Sequence, residues 1–467
     1  MRVLLLGSCL LLGGCITTVG TDHTPPDPVL PAAYATPLPA VAGAGPVGAG
    51  AWWQGYGDAR LDALVAEALT RNRELAQAEA RLAEARALVG EAEAAGGPFL
   101  DAGTEASLGR RFSSGGNNDS QTEGAAEAGL LFSWIPDLWG GQERQVESAV
   151  AEARAQALLR DDTARQVAAD VVRRHLEITR DLTRLEMIDA SLDLQAQTLA
   201  VVRERFAAGL ASQLDVSRAE AQLAATRAQR GPLQGALAST RAALAVLTGR
   251  MPGTVEMIQT PAIPTYADSL SIGLPRDLLR SRPDVQAAEA SLAAAVAGVG
   301  VAEADFYPSL RLPGSLTVGV SGLGTGDVVR SLVSSLAAAL DIPLFDGGAR
   351  ESRLAAAEAR AREALLAYEQ QLLEAVAEVE TALGELASAQ ARTADLEAAV
   401  AASEVAVQQA RELYTQGLTG FIDVLDAERT LLDNRQDVAA ARADVALLTA
   451  DLLTAVGAPV RAPAVAS

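Results

Sequence analysis

Counting back from Tyr414 in sevens lands on Val407, Val400, Thr393, Leu386, Val379, Leu372 and Leu365. A column held at that spacing belongs to one long helix with a coiled-coil seam, because only a seven-residue repeat keeps the same face toward a partner over many turns. The column three residues on is small, at Ala375, Ala382, Ala389, Ser403 and Ala410, which lets a neighbouring helix approach closely. Phe206, Leu199, Leu192, Leu185, Ile178 and Val171 form a matching column and predict a second long helix. Shorter columns follow glycine turns: Val424, Leu431, Val438, Val445 and Leu452 in one place, and Val216, Leu223, Leu237 and Leu244, interrupted at Arg230, in the other. Each half therefore holds a helical hairpin. The ascending arms, from about Gly141 to Phe206 and about Gly348 to Tyr414, contain no proline, and at 1.5 Å per residue each is about 100 Å long. That length suits a structure crossing a wide space.

The two columns are copies. Arg203–Leu223 reads RERFAAGLASQLDVSRAEAQL and Arg411–Leu431 reads RELYTQGLTGFIDVLDAERTL, an offset of about 208 residues that marks duplication of one structural unit. Ala78-Glu79-Ala80, Gly90 and Pro98 recur as Ala288-Glu289-Ala290, Gly300 and Pro308, and Ile135-Pro136 with Gly140-Gly141 recurs as Ile342-Pro343 with Gly347-Gly348.

After Pro98 and again after Pro308 the period changes to two. Glu123 and Glu127 fall on one face while Ala126, Ala128, Leu130 and Phe132 fall on the other, which is strand spacing with one polar and one apolar side. Two strands per half are predicted, at roughly 100–112, 121–135, 309–321 and 328–343. Glycine-rich hinges at 113–117 and 322–326 turn each pair into a hairpin. Four strands cannot close a barrel, which needs about eight or more, and lipid does not tolerate open edges. Strands of this kind enter a membrane only if several chains share one barrel. Helix starts are marked by Ser281-Arg282-Pro283-Asp284, with a capping serine and an early proline, and by Asp346 before Gly347-Gly348. Asp137 and Asp346 are assigned to turns and caps.

Composition changes the picture at the amino terminus. Arg2, the apolar run Val3–Leu12 and small residues before Cys15 form a secretory signal. With Cys9 inside that signal and Cys15 at its cleavage point, the mature chain has no thiol pair for a disulfide. His23 and His175 are far apart, and no Cys or His cluster has metal-ligand spacing, so no metal or other cofactor is expected. The net charge of −21 excludes nucleic acid, whose phosphates demand a basic surface. In a conduit the same charge favours cations. Beyond the signal no apolar run approaches the ~20 residues of a membrane helix, and no motif assembles nucleophile, base and oxyanion partners. An enzyme is therefore not expected. The predicted organisation is a signal peptide over 1–14, an extended tether over 15–50, a first repeat over 51–248, a connection over 249–275, a second repeat over 276–456 and a tail over 457–467.

Several strings carry a resemblance across nearly the whole mature chain. They are Trp53 with Leu61–Leu69 (LDALVAEAL), Ser133–Gly140 (SWIPDLWG), Leu278–Val285 (LLRSRPDV) with Ala288-Glu289, Ala304–Leu310 (ADFYPSL), Pro343–Gly348 (PLFDGG), Glu378-Val379-Glu380 and Asp423–Ala427 (DVLDA). In order and spacing they resemble the TolC/OprM/NodT family of outer-membrane efflux factors. The ending Leu12-Gly13-Gly14-Cys15 resembles a lipobox, which implies cleavage before Cys15 and its acylation, and Ile16 after it favours the outer membrane. The implied fold is mainly α with membrane β-strands. A long α-helical coiled-coil barrel continues into a trimeric twelve-stranded transmembrane β-barrel, with an internal two-fold repeat. The implied function is a passive exit duct in a homotrimer. It is recruited by a periplasmic adaptor (membrane fusion) protein and an inner-membrane transporter of the resistance-nodulation-division (RND) type, for drugs or other small molecules. Protein export with an ABC transporter is a second use of the same fold. A structural envelope coiled-coil lipoprotein is the rival of a different class.

The same resemblance assigns roles at the hairpin turns. Gly209, Leu210 and Ser212 in the first half, with Gly417, Leu418 and Thr419 in the second, are the expected adaptor-docking tips. Asp215, Tyr414, Phe421, Ile422, Asp423, Asp426 and Arg429 are the expected periplasmic gate. Asp423 and Asp426 are three apart and share a helix face, so three-fold symmetry would bring six carboxylates round one axis. Tyr414 is expected to hydrogen-bond at the tip, and Arg429 to pair with Asp426 within or between chains. Thr419 stands where some relatives carry an arginine latch. For Asp215 and Asp426 the competing role is compensation of a helix start.

Overall fold

The computed structural model describes residues 18–37, 42–43, 50–112, 120–254, 262–268, 270–323 and 329–460. The signal, Cys15, residues 113–117 and 324–326 of the strand hinges, and residues 461–467 of the tail lie outside them. The chain divides into two compact units, one of residues 1–27, 82–156 and 288–368, the other of residues 28–81, 157–287 and 369–467.

The elements run β1 (Ala42–Gly43), α1 (Ala59–Arg71), α2 (Arg73–Ala95), β2 (Phe99–Phe112), β3 (Ser120–Trp134), α3 (Gly141–Ala207), α4 (Gln213–Ala228) and α5 (Arg230–Leu247). They continue with β4 (Leu270–Ser271), the single turn α6 (Leu278–Ser281), α7 (Pro283–Ala304), β5 (Ser309–Leu323), β6 (Val329–Leu336), β7 (Ala339–Asp341), α8 (Ala349–Gln416) and α9 (Phe421–Ala455). The two ascending arms are single helices of 67 and 68 residues, as the seven-residue columns predict.

In the first unit β2, β3, β5 and β6 form an antiparallel sheet in that order. Its register puts Leu100, Phe132 and Leu336 in one row, Leu130 beside Leu316 in the next row of that face and Val318 beside Leu332 in the one after. That face is apolar and exposed, with Leu100 67%, Leu332 72% and Leu336 79% accessible. The opposite face carries Asp101, Glu105, Glu127, Thr317 and Ser331. The fourth strand, expected as one run, is two pieces, because β7 pairs with β5 beyond a gap at 337–338. Pro313 is the cause. Ala337 N–H donates to Pro313 O at 2.9 Å, but proline has no N–H to return the second bond of the pair.

One helix approaches the apolarity of a membrane span on average, although Asp284, Glu289 and Glu303 interrupt it. By length and composition α7 could cross a bilayer, with a mean hydropathy of 1.5 over its best window. Its apolarity is mostly alanine, and it is used for close packing. A Cβ on Gly300 would meet Arg144 Cγ at 2.9 Å and one on Gly141 would meet Ala304 Cβ at 2.7 Å, while Ser148 Oγ donates to Ala294 O at 3.0 Å. Residues 18–23 strap this unit: Val19 N–H donates to Trp139 O, Arg144 donates to Val19 O, Gly20 O and Asp22, and His23 Nε2 lies 2.8 Å from Glu289. Asp137 and Asp346 accept from the first backbone N–H groups of α3 and α8, the capping role expected of them.

In the second unit α1 is anchored by Asp58, whose Oδ1 caps it through Arg60 and Leu61 N–H while Oδ2 lies 2.7 Å from His175 Nε2. His175 is fully buried, and its hydrogen bond holds the Asp58 carboxyl down at about 2. The duplication shows at the far ends of the descending helices. Asn72 Nδ2 donates to Leu247 O, the last residue of α5, at 3.0 Å. Arg282 Nη1 donates to Ala455 O, the last residue of α9, at 3.1 Å. Those carbonyls have no partner inside their own helices. Arg282 is only 2% exposed and is matched by Asp284 and Glu378, which raise its already high pKa against the cost of burial. Ser281 does not cap α7 as predicted. It still belongs to α6, and its buried hydroxyl has no partner among the described residues.

The descending arms differ. α9 is continuous over 35 residues, while the first-half arm breaks at Gln229 between α4 and α5. Pro232 cannot donate to the Ala228 carbonyl, which accounts for the break in the helix beside Arg230, where the column is interrupted.

Candidate functional site

Both hairpin turns close in the same way. Leu210 N–H reaches back to Arg205 O at 2.7 Å and Gly209 N–H to Phe206 O at 2.9 Å; Leu418 reaches Leu413 O at 2.9 Å and Gly417 reaches Tyr414 O at 3.0 Å. This six-to-one and five-to-two pattern needs a left-handed residue just past the helix. Gly209 at φ +73° and Gly417 at φ +74° supply it. Leu210 and Leu418 follow and stand 67% and 69% exposed.

The returning helices start on matching caps. Ser212 Oγ accepts from Asp215 N–H, and Asp215 Oδ2 accepts from Ser212 N–H at 3.1 Å, a complete capping box. At the second turn Asp423 Oδ2 accepts from Gly420 N–H at 3.2 Å and from the Thr419 hydroxyl. Glycine offers no side-chain oxygen to accept from Asp423 N–H, and the Thr419 hydroxyl repeats only the other contact, donating to Asp423 as Ser212 Oγ donates to Asp215 Oδ2 at 2.7 Å.

Below the turns Leu199, Val202, Val216, Ala219, Tyr414, Phe421 and Val424 form one apolar cluster. The structure thus puts Tyr414 and Phe421 in the packing between the hairpins, with ring centroids 5.7 Å apart. The guanidinium of Arg205 lies 4.9 Å over the Tyr414 ring, and its Nη1 donates to Thr415 O at 2.9 Å. The Tyr414 hydroxyl is buried and meets no partner at full hydrogen-bond geometry among the described residues; burial pushes its pKa up, and the adjacent Arg205 guanidinium opposes that rise. Ile422, Asp423, Asp426 and Arg429 are exposed. The expected Asp426–Arg429 pair is not among the ion pairs formed within the subunit's described residues.

Sequence reasoning missed a charged pair that the duplication carries twice. Arg203 and Glu220 meet at 2.6 Å on the surface of the first hairpin. Arg411 and Glu428, the matching residues of the repeated strings, lie 3.4 Å apart in the second, with the Glu428 side chain 2% exposed. Thr198 of α3 fills the space between them: its hydroxyl donates to Glu428 Oε1 at 2.6 Å and accepts from Arg411 Nη2 at 2.7 Å. Burial raises the Glu428 pKa, and the Thr198 and Arg411 contacts oppose that rise. A groove of about 340 Å³ opens beside Thr198, Arg411, Tyr414 and Val424. The signal was available, since both strings contain Arg and Glu at the same spacing.

The arrangement of two duplicated hairpins ending in acidic turns, on a chain that also carries a lipid-type sheet, has known counterparts. The sequence model of the outer membrane efflux protein family matches residues 64–250 and again residues 274–458. The chain belongs to the outer membrane efflux protein family. The family model fits each half once, in keeping with the repeat. Nodulation protein T of Rhizobium leguminosarum bv. viciae is 30% identical over 380 residues, 81% of this chain and 75% of that protein. The pyoverdine export outer membrane protein OpmQ of Pseudomonas aeruginosa is 30% identical over 382 residues, 80% of this chain and 79% of that protein. Among solved structures the outer-membrane channel OprN is similar, with a TM-score of 0.85 at 31% identity, over 95% of this chain and 99% of that one. Members of the outer membrane efflux protein family are channels rather than enzymes, and this chain is an outer-membrane efflux channel.

Proposed function

We propose that three copies of this chain join their sheets into one twelve-stranded barrel and their helices into a continuous tunnel. The assembly is a passive exit duct for small molecules expelled by an inner-membrane RND-type pump. The observation that carries this reading is the open four-stranded sheet. Among the described residues the outer edges of β2 on one side and of β6 and β7 on the other have no partner strand, while the face with Leu100, Leu332 and Leu336 is apolar and exposed. Such a sheet is stable in lipid only when each edge meets the complementary edge of a sister subunit. The exposed Leu210 and Leu418, with Gly209, Ser212, Gly417 and Thr419 shaping the turns, form the docking tips for a periplasmic adaptor. Ile422, Asp423, Asp426 and Arg429 line the entrance. Asp426 and Arg429, which form no ion pair with each other among the described residues, meet across subunits, while Asp215, Tyr414 and Phe421 hold the hairpins behind them. Cys15 carries the lipid anchor.

Light scattering in detergent and planar-bilayer recording test the assembly together. A trimeric mass with discrete, cation-selective conductance is expected; a monomer without conductance overturns the reading. Mass spectrometry of the mature amino terminus is expected to find acylated Cys15, and an unmodified terminus elsewhere would remove the anchor.

A further inference from the structure

We propose that Arg110 and Arg330 form a rim that binds the phosphorylated headgroup of an outer-leaflet glycolipid, with each seat completed where two subunits meet. The proposal rests on the reading that sister sheets close one barrel, and it names the lipid that the outer end of that barrel selects.

The register of the sheet isolates these two residues. Along β2 the apolar face runs from Leu100 through Ala102 to Leu108 and ends in Arg110. Along β6 it runs from Leu336 back through Leu332 and ends in Arg330. The same face of β3, β5 and β7 carries no charged residue, while Asp101, Glu105, Glu127 and Asp341 all fall on the opposite face. The apolar face therefore holds two bases and no acid. Both bases stand at one end, since β2 leaves α2 at Phe99 and reaches Arg110 near its far end, and β6 begins at Val329 beside Arg330. Both side chains are exposed.

That end lies at the outer limit of the hydrocarbon. From Leu310 to Val320 the face covers about 33 Å of strand at ~3.3 Å per residue. With strands tilted by about 40° this is about 25 Å of height, the apolar band of a membrane barrel. Arg330 lies opposite Val320, at the top of the band, and Arg110 lies beyond the Ala106 row that continues it. An arginine facing lipid costs several kcal/mol at the midplane and almost nothing at the interface. The lower end of the face is neutral. There Trp134 lies opposite Leu312 and its Nε1 donates to Gly96 O at 3.1 Å, which suits an indole at a headgroup boundary.

The two leaflets thus meet different chemistry, indole on the helix side and guanidinium on the far side. A guanidinium fork matches phosphate oxygens two at a time. A zwitterionic phospholipid brings its own amine to the phosphate and gains little from a second base. A glycolipid bearing phosphomonoesters has no such amine, so its charge is the complement of this rim. β2 and β6 are also the outer edges of the sheet. Joining β6 of one copy to β2 of the next sets the strand bearing Arg330 beside the strand bearing Arg110, and one headgroup spans the seam.

Native mass spectrometry of the full-length mature protein in neutral detergent tests this, because one spectrum reads both the oligomer and its bound lipid. The probes are lipid A, a diphosphorylated glucosamine-disaccharide lipid, its dephosphorylated form, and phosphatidylcholine. Lipid A is expected to bind at least about tenfold more tightly than the dephosphorylated form. Arg330→Gln and Arg110→Gln are each expected to weaken lipid A binding about tenfold, the effect of one charge-assisted hydrogen bond, and to leave phosphatidylcholine unchanged. Equal lipid A binding by wild type and Arg330→Gln, or equal binding of the two glycolipid forms, overturns the rim. If Arg330→Gln does not assemble, Arg110→Gln decides by the same criterion. A trimer whose lipid binding ignores both substitutions leaves the shared barrel standing and removes only the rim. A monomeric mass removes the shared barrel, and the seat with it.

Discussion

Asp215 and Asp423 hold the same post in the two hairpins: each is the third residue of its returning helix and turns Oδ2 back to the backbone N–H that opens it, Ser212 at 3.1 Å and Gly420 at 3.2 Å. Asp426, one turn further on, has no such duty among the described contacts. The two acids of the expected gate are therefore unequal.

Replacing Asp423 with alanine removes a cap and is expected to cost about 1 kcal/mol of local helix stability, read as faster amide exchange over residues 420–425. Replacing Asp426 with alanine is expected to leave that exchange unchanged and to raise bilayer conductance. The reverse pattern would exchange the two roles.

The Asp58–His175 contact predicts an acid limit. The Asp58 carboxyl is lowered to about 2 in the fold, against about 3.9 in an unfolded chain. A depressed carboxyl contributes stability that is present above the unfolded value and lost as pH falls through the folded one. Helical circular dichroism is expected to show stability falling between about pH 4 and pH 2. Asp58→Asn, which keeps a capping oxygen but not the charge, is expected to flatten that fall by about 1 kcal/mol after allowance for partial solvent screening. An unchanged profile would show that the pair is energetically silent.

Arg282 and Asp284 form a buried pair, 2% and 15% exposed. Arg282→Met leaves the Ala455 carbonyl without its donor and Asp284 with only Gln371 Nε2 at 2.9 Å, Val285 N–H at 3.0 Å and Arg165 at 4.0 Å, and is expected to destabilise the second unit by about 2 kcal/mol. Adding Asp284→Asn is expected to recover part of that loss. Chemical denaturation of the single and double variants measures both.

Pro313→Ala restores an N–H opposite the Ala337 carbonyl. Joining β6 to β7 is expected to slow amide exchange over residues 336–339 and to stabilise the sheet by about 0.5–1 kcal/mol. Unchanged exchange there would mean that proline is not what divides the strand.

Much of this was legible in advance because it is periodic. The columns through Tyr414 and Phe206 gave the long helices almost to their ends, and the alternation around Glu127 and Leu130 gave the faces of the sheet. Gly209 and Gly417 were legible as turns because their backbone demands a residue without a Cβ. Single-residue exceptions were harder. Ser281 looked like a cap because serine before proline usually is one, but the preceding turn kept it helical and Arg282 drew Asp284 away.

By itself the amino-acid sequence determined the duplication, the two hairpins, the two-faced strands and the acids near the turns, since each is a local repeat of residue type along the chain. Only the tertiary structure decided which of those acids is tied up as a cap, that Tyr414 and Phe421 face the packing, and that Thr198 stands between Arg411 and Glu428. The packing of Tyr414 and the place of Thr198 depend on residues more than 200 positions apart being brought together, which no pattern local to one segment specifies, whereas the caps form within three residues and turn on which carboxylate the local backbone reaches.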